Sequence, residues 1–136
     1  MSTLAVTTQR RIRFSAIGLN HSHIYGQVNL MLCAGAELVL FYAPELVAEF
    51  AEKYLQASRA RSVQEILEDE TVRLVVSAAI PCERAPLGIQ VMRHGKNFMS
   101  DKPGMTLLEQ LAEARRSSLT AAARRPSAAM SRARAP

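Results

Sequence analysis

The sequence has few of the features that mark several large protein classes. Cys33 and Cys82 are the only cysteines, and they fit neither a C-x-x-C pair nor the ligand spacing of a zinc site. No apolar run approaches the ~20 residues that a membrane-spanning helix needs. The first apolar stretch precedes its arginines, which is the reverse of a secretory signal. We therefore expect a cytoplasmic protein with two buried thiols, and no membrane partner.

Acidic residues are missing from the C-terminal end. The net charge is +5, but the last thirteen residues hold four arginines and no acid, so the rest of the chain is nearly neutral. No aromatic residue is interleaved with these arginines, and no helix-turn-helix or RNA-binding pattern accompanies them. A solvated tail is therefore favoured over a small basic nucleic-acid binder, and no nucleic-acid partner is predicted. The four arginines are Arg124, Arg125, Arg132 and Arg134.

What is present is a regular alternation of strand and helix patterns from Arg11 to about Arg116. The chain has 136 residues, 49% hydrophobic and 21% charged, which is ordinary for one globular domain. Such alternation is typical of a parallel sheet with helices on both faces. The predicted fold class is therefore α/β, a doubly wound, Rossmann-like parallel sheet.

The first half predicts two strands and two helices. A strand over Ile12–Ile17 ends at Gly18, and a helix that Gly35 stops follows it. A second strand covers Leu38–Tyr42. Pro44 suits the first turn of a helix that buries four side chains, namely Leu46, Val47, Phe50 and Tyr54.

The second half predicts three helices and two strands. Ser62 and Glu65 form a capping box at the start of a short helix. The β-branched segment Val72–Ala79 is expected at the sheet centre. The elements after it are a helix from Pro81 to His94, a strand over Asn97–Ser100, and a helix opened by a capping box at Thr106–Glu109, with Leu108, Leu111 and Ala112 on one face.

Composition also predicts the boundaries. Residues 1–10 are an N-terminal tail, residues 11–117 the folded domain, and residues 118–136 an Ala/Arg-rich tail. Leu119 to Pro136 has only Leu119 and Met130 as larger apolar residues and cannot build a core. Since Ala and Arg favour helix, the part before Pro126 is expected to prolong the last helix.

The turn after the first strand has one glycine where a dinucleotide fingerprint has three. Gly18, Asn20 and His23 occupy the G-x-G-x-x-G positions. Asn20 tolerates left-handed geometry. His21 and His23 suggest a metal site, but no third ligand of suitable spacing is near, so no metal is predicted. Phosphate contact by these histidines at the helix N-terminus is favoured instead.

The end of the second strand leaves the choice between NAD and NADP open. Ala43 stands where an acid is expected to hydrogen-bond the adenosine ribose, and Glu45 lies two residues further on. No arginine near in sequence marks a 2′-phosphate site. We expect NAD or NADP as cofactor.

Asp101, Lys102, Pro103 and Gly104 follow the last predicted strand. These are favoured turn residues. Their place at the carboxyl end of a parallel strand, where open α/β sheets bind ligands, adds a functional interpretation. A lysine there can hydrogen-bond a substrate hydroxyl and stabilise negative charge on its oxygen as hydride leaves.

Taken together, the segments Arg11–Gly18, Ala36–Tyr42, Val75–Pro81 and Gly95–Pro103 resemble the N-terminal domain of the Gfo/Idh/MocA oxidoreductases. Gly95-Lys96 followed by Asp101-Lys102-Pro103 is similar to the family's G-K-x-x-x-x-E-K-P signature, with Asp in place of Glu. The resemblance implies an NAD(P)-binding domain. It places Gly18 under the pyrophosphate, Pro81 beside the nicotinamide, and Lys102, with Asp101 before it, at the reacting carbon. Asn20, His23, Ala43 and Ala85 depart from the family pattern.

The resemblance also implies hydride transfer on a sugar or polyol, and a possible homo-oligomer. Because the family's C-terminal α/β substrate domain is missing, we expect this fragment to be inactive. The change of composition after Ser117 is what a shifted reading frame in a GC-rich gene produces, and suggests a truncated product. The alternative is a non-catalytic nucleotide-binding or protein-interaction module with the same fold.

Overall fold

A computed structural model describes residues 11–45 and 47–124 of the chain, and the predictions for residues 1–10, Leu46 and residues 125–136 lie outside them. The strands are β1 (Arg13–Ile17), β2 (Glu37–Tyr42), β3 (Ser58–Arg59), β4 (Val72–Ser77) and β5 (Asn97–Ser100). The helices are α1 (His23–Cys33), α2 (Ala48–Lys53), α3 (Val63–Glu68), α4 (Pro81–Arg93) and α5 (Leu108–Arg124).

The five strands form one parallel sheet in the order β3-β2-β1-β4-β5. This confirms the predicted α/β, Rossmann-like class. The strand at the sheet centre was predicted wrongly, because β1 and not β4 is the middle strand. Both are interior strands paired on two sides, so a continuous apolar segment does not distinguish between them.

The core has two halves, one on each face of the sheet. Phe14, Leu74 and Val76 pack with α1 and α2 on one face, whereas Ile17 and Val75 pack with α3 and α4 on the other. Side chains alternate between faces along a strand, so each interior strand serves both halves. The sheet is therefore wound on both sides, and its carboxyl edge stays open between the helices.

The segment after β2 differs from the prediction. α2 begins at Ala48 and not near Pro44, because the carbonyls of Ala43 and Pro44 accept hydrogen bonds from the Arg59 guanidinium. Phe50 and Tyr54 are buried as expected. The two-residue strand β3, which carries Arg59, was not predicted because it is short and exposed.

Both predicted capping boxes need correction. The Ser62 hydroxyl accepts from the Glu65 amide at 3.2 Å, but the Glu65 carboxylate accepts from the Arg61 amide at 2.7 Å and not from that of Ser62. At the start of α5, Oε1 of Gln110 accepts from the amides of Thr106 and Leu107.

The predicted apolar face of α5 is not the packed one. Leu108 is 85% exposed and Leu111 42%, whereas Ser117 and Ala121 are buried where the helix packs against α4. The two cysteines were expected to be buried, and both are exposed. Among the described residues, no helix is both long enough and apolar enough to cross a bilayer.

Candidate functional site

The strand order reverses between β1 and β4, and the candidate site lies at the carboxyl ends of these two strands. In open α/β sheets this switch point is where ligands bind. Gly18 directly follows β1 with φ +79°, and a Cβ added to it would lie 2.7 Å from the Cβ of Ala79. The Ala78 amide donates to the Gly18 carbonyl at 3.0 Å. Glycine is required here by both backbone conformation and space.

The turn between β1 and α1 leads from Gly18 to two exposed histidines. The His21 amide donates to the Ala78 carbonyl at 3.1 Å, which ties the turn to the end of β4. Nδ1 of His21 accepts from the His23 amide at 3.1 Å. The His21 ring therefore caps one amide of the α1 N-terminus, where an anion is favoured. Asn20 is exposed beside it.

His23 joins this turn to the end of β5. Its Nδ1 lies 2.8 Å from Oδ2 of Asp101. The Asp101 amide donates to the Ser77 carbonyl at 3.0 Å, so the ends of β4 and β5 are also tied together. The hydrogen bond from His23 holds the pKa of the Asp101 carboxyl below its usual value, with further help from the Lys102 amide.

Arg84 is a site residue that the sequence reasoning missed. Its side chain is buried and donates to three main-chain carbonyls: Nε to Ala79 at 2.7 Å, and Nη1 to Asp101 at 3.3 Å and Pro103 at 3.1 Å. Nη2 lies 3.8 Å from Oδ2 of Asp101. One guanidinium thus connects the loop after β4 with the residues on both sides of Lys102.

A sequence signal for Arg84 exists. It lies near the N-terminus of α4, where the helix dipole disfavours a cation. A cation at such a position needs partners elsewhere in the fold, and here the carbonyls of two loops supply them.

Lys102 itself is exposed next to this network. Its amide donates to Oδ1 of Asp101 at 2.9 Å, and the peptide bond to Pro103 is cis. Pro81 is exposed and is the first residue of α4, directly after the loop that Arg84 binds. The sequence elements that carry Gly18, Pro81 and Lys102 therefore meet at one edge of the sheet.

Asp101 also completes a group of possible metal ligands. His21, His23 and Asp101 each offer a ligand atom, and these atoms lie within 4.8 Å of one another. The sequence showed no third ligand because Asp101 is 78 residues from His23. The carboxylate already accepts from His23 and faces the Arg84 cation, which opposes a metal ion.

Lys96, the second residue of the family-like signature, lies away from this site. Its ammonium is buried and donates to the carbonyls of Asp69 at 2.6 Å and Val72 at 3.0 Å, at the start of β4. Burial lowers its pKa. Lys96 thus stabilises the amino ends of the strands, opposite to the candidate site. The signature therefore combines one structural lysine with one exposed lysine at the site.

At the end of β2, the Ala43 side chain is buried. Its carbonyl accepts from Nη2 of Arg59 at 3.2 Å. No arginine near in sequence was expected at this position, and that expectation is corrected, because β3 pairs beside β2 and brings Arg59 to it.

Solved structures of other proteins share this fold. The chain is similar to a protein designated an oxidoreductase from Erwinia carotovora atroseptica, with 35% identity over 82% of this chain and a TM-score of 0.78. It also resembles the WlbA dehydrogenase from Bordetella pertussis, solved with NADH and UDP-GlcNAcA (24% identity, 85% of this chain, TM-score 0.73). A third is myo-inositol 2-dehydrogenase from Lactobacillus plantarum (18% identity, 82% of this chain, TM-score 0.67).

In each case the chain spans 34% of the length of the solved structure. No family model matches the sequence, and no curated protein does.

Proposed function

We propose that this chain is the dinucleotide-binding part of an oxidoreductase of the Gfo/Idh/MocA type, because the solved structures that it resembles are oxidoreductases of that type. The observation that carries the proposal is the β1 turn. Gly18 has a positive φ and packs directly on Ala79 at the switch point between β1 and β4, where no Cβ fits, and a dinucleotide-binding fold needs such a glycine for the tight turn after its first strand. NAD or NADP is the proposed cofactor.

The residues at the turn fit a pyrophosphate with one adjustment. α1 begins at the end of this turn, and the amides and dipole of a helix N-terminus favour an anion there. The His21 ring now accepts from the His23 amide, so a phosphate oxygen has to replace it. His21 is exposed and can turn away, after which the His23 amide and a ring N–H of His21 can donate to the phosphate.

Lys102 is the proposed catalytic residue. The bound nicotinamide supplies the hydride acceptor, and the lysine's part is to hold the substrate hydroxyl and stabilise negative charge on its oxygen. Arg84 fixes the carbonyls on both sides of Lys102, and Asp101 fixes its amide. These contacts orient the loop and leave the ammonium group for the substrate. A sugar or polyol is the proposed substrate of the whole oxidoreductase.

A binding experiment tests the proposal directly. A ligand that binds only the native state raises the melting temperature, by an amount equivalent to about 2.7 kcal/mol at a hundred times Kd. We expect NAD or NADP at millimolar concentration to stabilise the chain. No shift with either one contradicts the proposal and favours a non-catalytic interaction module.

Ser22→Glu is the variant that ties binding to the turn. Ser22 is exposed at the α1 N-cap and its side chain makes no capping bond, so the substitution removes no contact there. The added carboxylate repels a pyrophosphate at this position but suits the helix dipole. We expect loss of the cofactor-induced shift with the basal melting temperature kept. Ser118→Glu, on the exposed surface of α5, is the matched control and should bind like the parent chain.

A further inference from the structure

The structure brings two arginines to the end of β2, where a dinucleotide-binding fold recognises the adenosine ribose. Arg59 ends β3, and its Nη2 donates to the carbonyls of Ala43 at 3.2 Å and Pro44 at 3.3 Å. Arg61 follows two residues later. Both line a groove of about 400 Å³ together with Tyr42, Pro44 and Ala60.

The position that selects NAD offers no carboxylate. A ribose with a free 2′-hydroxyl is normally bound by an acid after β2, and Ala43 has neither charge nor exposure there. An acid at this place also repels a 2′-phosphate, so its replacement by alanine removes a barrier to NADP. What remains at the groove is positive charge.

The contacts of Arg59 fix its guanidinium without neutralising it. Both acceptors are main-chain carbonyls, and both bonds use Nη2, so Nε and Nη1 keep donors for a ligand. The side chain is exposed. A planar guanidinium presents paired N–H groups that match the oxygens of a phosphate.

Two carboxylates lie near the groove in sequence. Oε2 of Glu65 accepts from the Arg61 amide at 2.7 Å, so its negative charge lies at the main chain of Arg61. This charge reduces the contribution of Arg61 to the positive charge of the groove. Glu45 is exposed, two residues beyond Ala43. If Glu45 held the ribose hydroxyls, the site would favour NAD, and the test below includes this residue for that reason.

We propose that Arg59, assisted by Arg61, binds the 2′-phosphate of NADP, so that this chain prefers NADP to NAD. The inference rests on the proposed dinucleotide-binding function and adds the choice of cofactor.

Titration calorimetry of the full chain with NADP and with NAD tests it. We expect NADP to bind about tenfold or more tightly than NAD, because a charge-assisted hydrogen bond to the 2′-phosphate is present with NADP alone. The minimal pair 2′,5′-ADP and 5′-AMP should show the same preference. Equal affinities, or tighter binding of NAD, overturn the inference while leaving the proposed function in place. If neither dinucleotide binds, the proposed function fails, and the inference with it.

Variants assign the preference to its residue. Arg59→Gln should weaken NADP binding about tenfold and leave NAD binding unchanged. Arg73→Gln is the matched control, since it removes the same charge from an exposed position near the start of β4, at the opposite end of the strands from the groove. Equal weakening of NADP and NAD by Arg59→Gln contradicts the assignment. Glu45→Gln should leave NAD binding unchanged, and a selective loss of NAD binding in this variant overturns the inference.

Discussion

Arg84 is the residue on which the shape of the site depends. Its buried guanidinium donates to the carbonyls of Ala79, Asp101 and Pro103, which belong to two separate loops. The hydrogen bond to Ala79 is buried, and a buried carbonyl that loses its donor cannot regain one from water. The loop that carries Lys102 is therefore held in place by a side chain outside the family-like signature.

Replacement of this arginine should destabilise the chain. Arg84→Met keeps much of the apolar volume but leaves the three carbonyls without this donor, and we expect a loss of about 1–3 kcal/mol in the free energy of unfolding. Urea denaturation measures it. Arg73→Met, at an exposed position, should change stability by less than about 0.5 kcal/mol. If the free energy of unfolding of Arg84→Met equals that of the parent chain, the network is not needed for the fold.

Asp101 should make the stability of the folded chain depend on pH. The hydrogen bond from His23 lowers the pKa of its carboxyl in the folded chain. A lowered folded-state pKa stabilises the chain above the unfolded value of about 3.9, and this stabilisation is lost as pH falls through the folded value. Asp101→Asn should therefore be less stable than the parent at pH 7, and the difference should shrink below about pH 4. Unfolding curves from pH 7 to pH 3 measure it, and a constant difference would contradict the assignment.

At the scale of elements, two glycines within helices have opposite surroundings. A Cβ on Gly26, in α1, would meet no atom within 4 Å, whereas one on Gly88, in α4, would lie 2.5 Å from Cδ1 of Phe98 on β5. The first glycine has no packing reason in the described residues. The second lets α4 approach β5 closely.

The pair makes a matched test of helix packing. Gly26→Ala should stabilise the chain by about 0.5–1 kcal/mol, since alanine loses less conformational freedom in a helix. Gly88→Ala should destabilise it by about 1–3 kcal/mol, since the added methyl overfills the α4–β5 contact. Both effects follow from urea denaturation. Stabilisation by Gly88→Ala would mean that Phe98 moves aside without cost.

At the scale of the whole molecule, one buried cation lies at the amino ends of the strands and another at their carboxyl ends. Lys96 donates to carbonyls where β4 begins, and Arg84 donates to carbonyls just beyond the ends of β4 and β5. Both residues are less than 5% exposed. Between them, β1 and β4 are covered on both faces, which makes them the rigid centre of the fold.

Hydrogen exchange should follow this arrangement. Core strands open only with global unfolding, whereas exposed edges open locally. We expect the slowest amides in β1 and β4, where Phe14, Ala16, Val75 and Val76 are fully buried, and fast exchange in β3, which is exposed. Protection in β3 equal to that in β1 would contradict the assignment of the core.

The sequence by itself determined the α/β class, the parallel pairing and most strand limits, because apolar periodicity, glycine and proline act over a few neighbouring residues. The limits Asn97–Ser100 agree with β5. Only the tertiary structure decided which strand is central, where α2 begins, which face of α5 packs, and that both cysteines are exposed. It alone brought His23 to Asp101, Arg84 to the loop of Lys102, and Arg59 to Ala43. These contacts join residues that the chain separates by at least sixteen positions, and no local pattern encodes which distant carbonyl or carboxylate a long polar side chain reaches once the strands pair.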